Sequence, residues 1–271
     1  MAESASEQNF FFQYKPSIAG VVIATIVSSI ITGVHIFRFV KTFKTIRLKM
    51  FVVLSMAAFN EVLGYILRIP GSRSKPSGGL FSLSPLLFFI TPLMATSVIY
   101  FVFFKIATAI AAHHSSVKLS ILIKLWSAND IVCQLLISSG AMVASRGHHK
   151  SGKGILLAGI AIHTVMLGVF VVVVAMWHRR TSSGHVAASP RLLKSTQRDV
   201  FAIYLSCGLI VVRGLFRFIE VASGPNGPFQ KREAPFYFYD FLPIAVASVV
   251  CLQWYDSDNL KPLVQATSEE C

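Results

Sequence analysis

The sequence predicts an all-α membrane protein, a single bundle of seven transmembrane helices. Three observations carry this. The chain of 271 residues is 54% hydrophobic and 14% charged, with a mean hydropathy of +0.64, far to the apolar side of soluble domains. Its apolar residues gather into runs of about 20 or more, the length a helix needs to cross the hydrocarbon of a bilayer. Finally, 22 phenylalanines spread along the chain exclude disorder, which requires low hydrophobicity.

The elements follow in order. Residues 1–17 read as an exposed polar tail, because Glu3 and Glu7 stand where a cleavable signal would carry its basic region. The first span is Ile18–Val40 and the second Met50–Ile69. The third, Leu83–Ala109, contains Pro85 and Pro92, each of which removes a backbone hydrogen bond and is expected to bend the helix. Ile121–Val143 and Gly154–Trp177 are the fourth and fifth. Val200–Ala222 and Phe236–Tyr255 contain ionisable residues, yet Val200–Val212 and Leu242–Trp254 are too apolar to be loops. The transmembrane domain is therefore 18–255, followed by a C-terminal tail at 256–271. The connections leave no room for a soluble domain. Only Trp177 to Asp199 is sizeable, and its Thr181-Ser182-Ser183-Gly184 and Ser189-Pro190 read as mobile.

The net charge of +13 would point to nucleic acid on a soluble protein. Here no basic patch is interleaved with aromatics on a soluble domain, so the charge belongs at the anionic lipid surface and no nucleic-acid partner is expected. Cys133, Cys207 and Cys251 lie in apolar runs, where thiols act as small hydrophobes. Terminal Cys271 lacks a prenylation signal, and no disulfide framework or CxxC site is present.

Within the spans, charges are expensive: roughly 2.5–3.5 kcal/mol each at the bilayer centre on insertion scales. Glu61, Asp130, Glu220, Asp240, Arg213 and Arg217 nonetheless fall inside them, so they must pair or reach water. Glu61, Tyr65 and Arg68 share one helical face, as do Arg213, Arg217 and Glu220, with Arg217 and Glu220 at pairing distance. Asp240 begins the last span. Glu61, Arg68, Arg217, Glu220 and Asp240 fall in one half of the bundle and sum to −1, leaving one acid for a ligand amine or a proton. These residues predict a polar cavity between helices two, six and seven, although such ion pairs also lock helices together with no ligand at all. Asp130 stands alone in span four, so it either carries a proton or faces water.

Enzyme chemistry finds little support. His35 and His163 are lone intramembrane histidines, more often hydrogen-bonded packing residues than ligands. The doublets His113-His114 and His148-His149 lack the spacing and acidic partner of a metal site. There is no P-loop and no G-x-S-x-G, so neither a cofactor nor ATP hydrolysis by this chain is expected. A seven-helix zinc amidase would need histidine in span seven, which has none.

Several segments resemble the fungal RTA-like family, named for resistance to aminocholesterol and often called lipid-translocating exporters. Tyr14-x-Pro16-Ser17 resembles the family's approach to helix one, with His35 near that helix's end. Glu61-x-x-Gly64-Tyr65-x-x-Arg68 is similar to its helix-two signature, and Pro92 with Tyr100 to helix three. Asp130 and Gly140 match helix four. Arg213-x-x-x-Arg217-x-x-Glu220, followed by Gly224, Gly227, Glu233, Tyr237 and Asp240, is the most specific stretch. The chain departs from the pattern at Lys105, Ile137, His163 and Asp256-Ser257-Asp258. The resemblance implies a stress-responsive plasma-membrane protein that exports or translocates amphipathic lipids such as sphingoid long-chain bases or sterol-like toxins, and in some members porphyrins. Its ligand site is expected at Glu61, Tyr65, Arg68, Asp130, Arg217, Glu220 and Asp240. The alternative is a seven-helix receptor or sensor for such a lipid, without transport.

Orientation follows from the lysines and arginines beside the spans. With the N-terminus outside, fourteen lie on the inner side, among them Arg38, Lys41, Arg179 and Arg180, against nine outside. The expected arrangement is N-terminus outside and C-terminus in the cytoplasm. A cysteine placed in residues 1–9 should react with an impermeant maleimide in intact cells; reaction only after permeabilisation would reverse the topology.

Overall fold

In lipid, an apolar backbone run is stable as a helix, which satisfies its own hydrogen-bonding groups. The computed structural model describes residues 17–43, 50–73, 78–110, 116–183, 190–224, 227, 233–257 and 260. Among these, α1 is Ile18–Phe43, α2 Met50–Arg73, α3 Gly78–Ile110, α4 Ser116–Ser145, α5 His149–Ser183 and α6 Pro190–Ser223. The seventh span, α7, covers Ala234–Asp256, and all seven are long and apolar enough to cross a membrane. There is no strand among the described residues. Most of the two expected tails, His113-His114, Gly184 and Ser189 lie outside the described residues.

Each helix packs on the next in the chain, α7 returns to α1, and α3 also reaches α6. This places α3 innermost: 61% of its most apolar stretch is buried, against 28% for α1 and α4. Those two helices turn Ile23, Ile26, Ile30 and Phe37, and Ile121, Leu125, Ile131 and Leu135, outward. Such faces suit hydrocarbon. The core of the bundle is aromatic around Phe170, whose ring meets Tyr100 at 4.6 Å, Trp126 at 5.1 Å and Phe103 at 5.6 Å. Edge-on contacts of this kind align the rings' positive edges with their neighbours' negative faces. The helices approach most closely where residues are small. Gly140 and Ala144 of α4 face Gly152 of α5 so tightly that a methyl group on Gly152 would meet backbone atoms of both, as in other close-packed membrane helix pairs.

Three local features differ from the sequence expectation. First, α5 runs on to Ser183 and α6 begins at Pro190, so the long connection after Trp177 is mostly helix. Proline is well suited to a helix's first turn, and the polar Asp199 is buried where the Ser257 hydroxyl donates to its carboxylate. Second, α3 begins at Gly78, before the expected Leu83, and its helix includes Pro85 and Pro92. Third, α7 is composite: a short α-turn at Ala234–Phe236, a π-turn at Tyr237–Phe241, an α-segment at Leu242–Cys251 and a 3₁₀ end at Leu252–Asp256. Pro243 has no N–H to offer the carbonyl of Tyr239, and the neighbouring Leu242 N–H bonds to Tyr237 instead, widening the helix by one residue.

The α4–α5 contact is backbone against backbone, so nothing there can give way. Gly152→Val should destabilise the detergent-solubilised protein by at least about 1–3 kcal/mol, read as a lower thermal midpoint. Gly168→Ala, where open space surrounds the α-carbon, should leave the midpoint unchanged or slightly raised.

Candidate functional site

At the end of the bundle where α1 and α7 begin, three arginines and three acids converge. Asp240 lies on the π-turn of α7 and is 3% exposed. Arg217 of α6 grips it with both sides of its guanidinium, Nε to Oδ1 at 2.8 Å and Nη2 to Oδ2 at 2.5 Å. The third arm, Nη1, donates to Glu220 at 2.8 Å, the pair expected from the sequence. Arg213, one turn earlier, places Nη2 2.8 Å from the same Asp240 Oδ1.

Arg213 also donates to the backbone carbonyl of Phe88 at 2.5 Å. That carbonyl is four residues before Pro92, whose ring nitrogen has no hydrogen to give it. The proline therefore leaves a bare acceptor inside the bundle, and a helix-six arginine satisfies it. In this way α3, α6 and α7 are tied at one point.

Arg68 of α2 is fully buried, with its guanidinium carbon 3.9 Å above the ring of Phe236. The Arg217 guanidinium lies 5.4 Å from that same ring, so Phe236 is within cation–π reach of both cations. Tyr65 packs against Phe88, Phe236 and Phe241 and donates a long hydrogen bond, 3.4 Å, to Glu61 Oε1. Glu61 is 4% exposed, and its Oε2 has no hydrogen-bond partner.

Among the described residues, two small clefts border the aromatic cluster. One, of about 20 Å³, lies against Phe216, Arg217, Glu220, Phe236, Tyr239 and Asp240. The other, of about 10 Å³, lies among α1, α2 and α7, lined by Ser28, Ala58, Glu61, Phe241, Ile244 and Ser248. Each is about the size that holds a single water. The structure corrects the charge arithmetic. Arg213 joins the network through Asp240, so the three arginines balance Glu61, Glu220 and Asp240. What distinguishes Glu61 is that it makes no ion pair among the described residues.

The second cleft lies between two ties that join α1 to α7. At one end, Glu233 accepts from the Ser17 backbone N–H and from the Tyr237 hydroxyl, both at 2.8 Å, and the Tyr237 ring packs on Gly20 where a β-carbon would clash. At the other, His35 contacts Tyr255 Oη at 3.3 Å and the Ser248 carbonyl at 3.1 Å, and Arg38 pairs with Asp256. His35 is thus the hydrogen-bonded packing residue expected. Asp130 stands apart from all of this, among α3, α4 and α5, with Thr96, Ser97 and His163 around it.

Sequence reasoning missed Arg213 and Glu233 as members of the site. Spacing held the signal for both: Arg213 with Arg217, and Glu233 with Tyr237, are four residues apart and share a helical face.

A family model described as RTA1-like protein matches residues 54–260, from α2 to the end of α7. Protein RTM1 of Saccharomyces cerevisiae is 23% identical over 205 residues, covering 74% of this chain and 65% of that protein. The lipid-translocating exporter-like protein RTA1 of Leptosphaeria maculans is 28% identical over 110 residues, 36% of this chain and 20% of its own length. Protoporphyrin uptake protein 1 of S. cerevisiae is 21% identical over 201 residues, 70% and 63% of the two chains. This chain thus spans less than two thirds of the length of each of these relatives. No solved structure matches.

Truncating Arg217 would leave Asp240 short of two hydrogen bonds and strip Glu220 of its partner, both inside the bundle. Arg217→Ala should therefore cost about 3–5 kcal/mol of stability, seen as loss of folded protein on extraction. Arg217→Lys, which keeps the charge but cannot grip both oxygens, should fall between the two.

Proposed function

This chain belongs to the RTA1-like family, which matches most of its length, and on that premise we propose that it moves an amphipathic lipid carrying an amine across the plasma membrane. The substrate class is a long-chain amine or zwitterion, of which a sphingoid base is one form and a sterol-like amine another. A lipid-translocating exporter-like protein among its relatives supports the lipid; the amine rests on Glu61.

The observation that carries this reading is the carboxylate of Glu61. It is buried, one oxygen has no hydrogen-bond partner, and it borders a cleft among α1, α2 and α7. A buried acceptor without a partner costs about 1–3 kcal/mol, more if charged. An ammonium group placed there returns that energy and is held by charge-assisted hydrogen bonds. Around the cleft, the outward faces of α1 and α7 carry Ile26, Ile30, Leu242 and Val249, a surface along which an acyl chain can lie in contact with bilayer lipid. The cleft as it stands holds about one water, so loading requires α1 and α7 to part between their two ties.

The test compares the purified protein with its Glu61→Gln form in liposomes, using a fluorescent sphingoid base. The intact protein should move the probe faster than empty liposomes. Glu61→Gln keeps the side chain's shape and should leave the thermal midpoint nearly unchanged while slowing movement at least about tenfold, equivalent to about 1.4 kcal/mol. Movement no faster than in empty liposomes would overturn the transport reading. Saturable binding without movement would instead favour a receptor for the same lipid.

A further inference from the structure

The polar group that the proposed lipid site does not use is Asp130, near the middle of α4. It is 3% exposed. One carboxylate oxygen, Oδ2, accepts from Thr96 at 2.8 Å and, at 3.5 Å, from Ser97. The other, Oδ1, makes no hydrogen bond and faces Nε2 of His163 on α5 at 3.9 Å. His163 is 6% exposed, and the same Nε2 lies 3.5 Å from the Thr96 hydroxyl. Among the described residues, His163 is the one basic side chain within ion-pair distance of Asp130.

The surroundings are polar, but among the described residues no lysine or arginine is paired with this acid. Thr96, Ser97 and Tyr100 face it from α3, with Asn129 and Cys133 from its own helix. From α6, Cys207 lies within electrostatic reach of Tyr100, and Arg213 within reach of His163. Arg213 is already held by Asp240 and the Phe88 carbonyl. The Tyr100 hydroxyl and the Asn129 amide nitrogen are buried without a partner. Four helices thus surround an acid–imidazole pair whose donors and acceptors are not used up.

We infer that Asp130 and His163 form a proton-binding site at mid-depth in the bundle, through which a proton gradient drives the movement of the lipid. A lone charge in this medium is costly. The pair avoids one in two ways, as a neutral acid beside a neutral imidazole or as a carboxylate beside an imidazolium. Both states hold the same single proton. Passage between them breaks one O–H bond at Oδ1 and makes one N–H bond at Nε2, or the reverse, with no other change. Gaining a second proton from the medium, or losing to it the one already held, leaves a net charge, which the site tolerates only when the bundle opens to water. This is the property that ties proton exchange to a conformational cycle. The Asp130–His163 pair is linked to the lipid site through α3, which carries Thr96 at Asp130 and Phe88, whose ring packs on Tyr65, the donor to Glu61.

This inference rests on the transport reading above, and the experiment separates the two. Liposomes containing the protein are given an acidic exterior or none, with potential clamped, and the ratio of fluorescent sphingoid-base movement under the two conditions is measured. For one proton per cycle, a gradient of one pH unit should raise the rate severalfold, to a limit of about tenfold. In Asp130→Asn and in His163→Gln the ratio should fall to about one, and Asp130→Glu, which restores the carboxyl, should recover it. A wild-type ratio of one, or an unchanged ratio in Asp130→Asn, overturns the coupling while leaving lipid movement intact. Infrared difference spectra across a pH jump, with no lipid present, judge the site independently of transport. They should show a carboxylic-acid band that is lost in Asp130→Asn and an imidazole band that is lost in His163→Gln. Absence of that carboxyl band overturns the proton site even if no lipid is moved.

Discussion

Asp240 accepts two hydrogen bonds from Arg217 and is ion-paired with Arg213, in a medium where an isolated charge is costly, and most of this end of the molecule is arranged around that fact. Arg217 meets the carboxylate with two parallel N–H groups and Arg213 reaches it from the side. The two arginines are one helical turn apart, so both can address a single acid only if it lies directly opposite their shared face. The π-turn at Tyr237–Phe241, immediately before Pro243, is where α7 presents it. The second arginine then takes on another duty, filling the hydrogen bond that Pro92 removes from α3. In water each of these groups would be solvated for nothing. In a bilayer each needs a protein partner, and meeting one need fixes where the next helix must be.

The same solvent explains how the rest of the bundle holds. Lipid is as apolar as leucine, so burying leucine against leucine does little to bring helices together. Close contact comes from small residues, as at Gly140, Ala144 and Gly152, and from interlocked aromatic rings around Phe170. Hydrogen bonds complete it: Lys153 reaches from α5 to the Ala222 carbonyl in the last turn of α6, a favourable place for a cation because helix carbonyls point there. Large aliphatic side chains remain on the periphery, where they face lipid.

Within that frame, Glu61 and Asp130 each keep a carboxylate oxygen without a hydrogen bond. Glu61 has a hydrogen bond from Tyr65 and a second oxygen without a partner; Asp130 has Thr96 and an imidazole just beyond hydrogen-bond distance. They lie in different places, one at a cleft beside the lipid-facing helices, the other deep among α3, α4 and α5. A charge network built only to lock helices would satisfy its members, as the arginines do Asp240. Acids left partly open inside a membrane are what the proposed cation site at the first and the proposed proton site at the second would use.

The chain's sequence determines the number of spans, their order and the polarity of their faces, because each is a property of a short stretch and of the length of helix a bilayer requires. It also determines that Arg217 pairs with Glu220, since three residues on one helix are a fixed distance apart. The tertiary structure alone decides what lies between helices. No spacing in α7 reveals that Asp240 faces Arg213 as well as Arg217, or that the carbonyl freed by Pro92 lies near α6. Nor does one show that Glu61 borders α1 and α7, or that Asp130 and His163 face each other across two helices. Local periodicity sets where a side chain sits on its own helix; which helix it meets depends on rotation and depth, and these are set by all the other contacts at once.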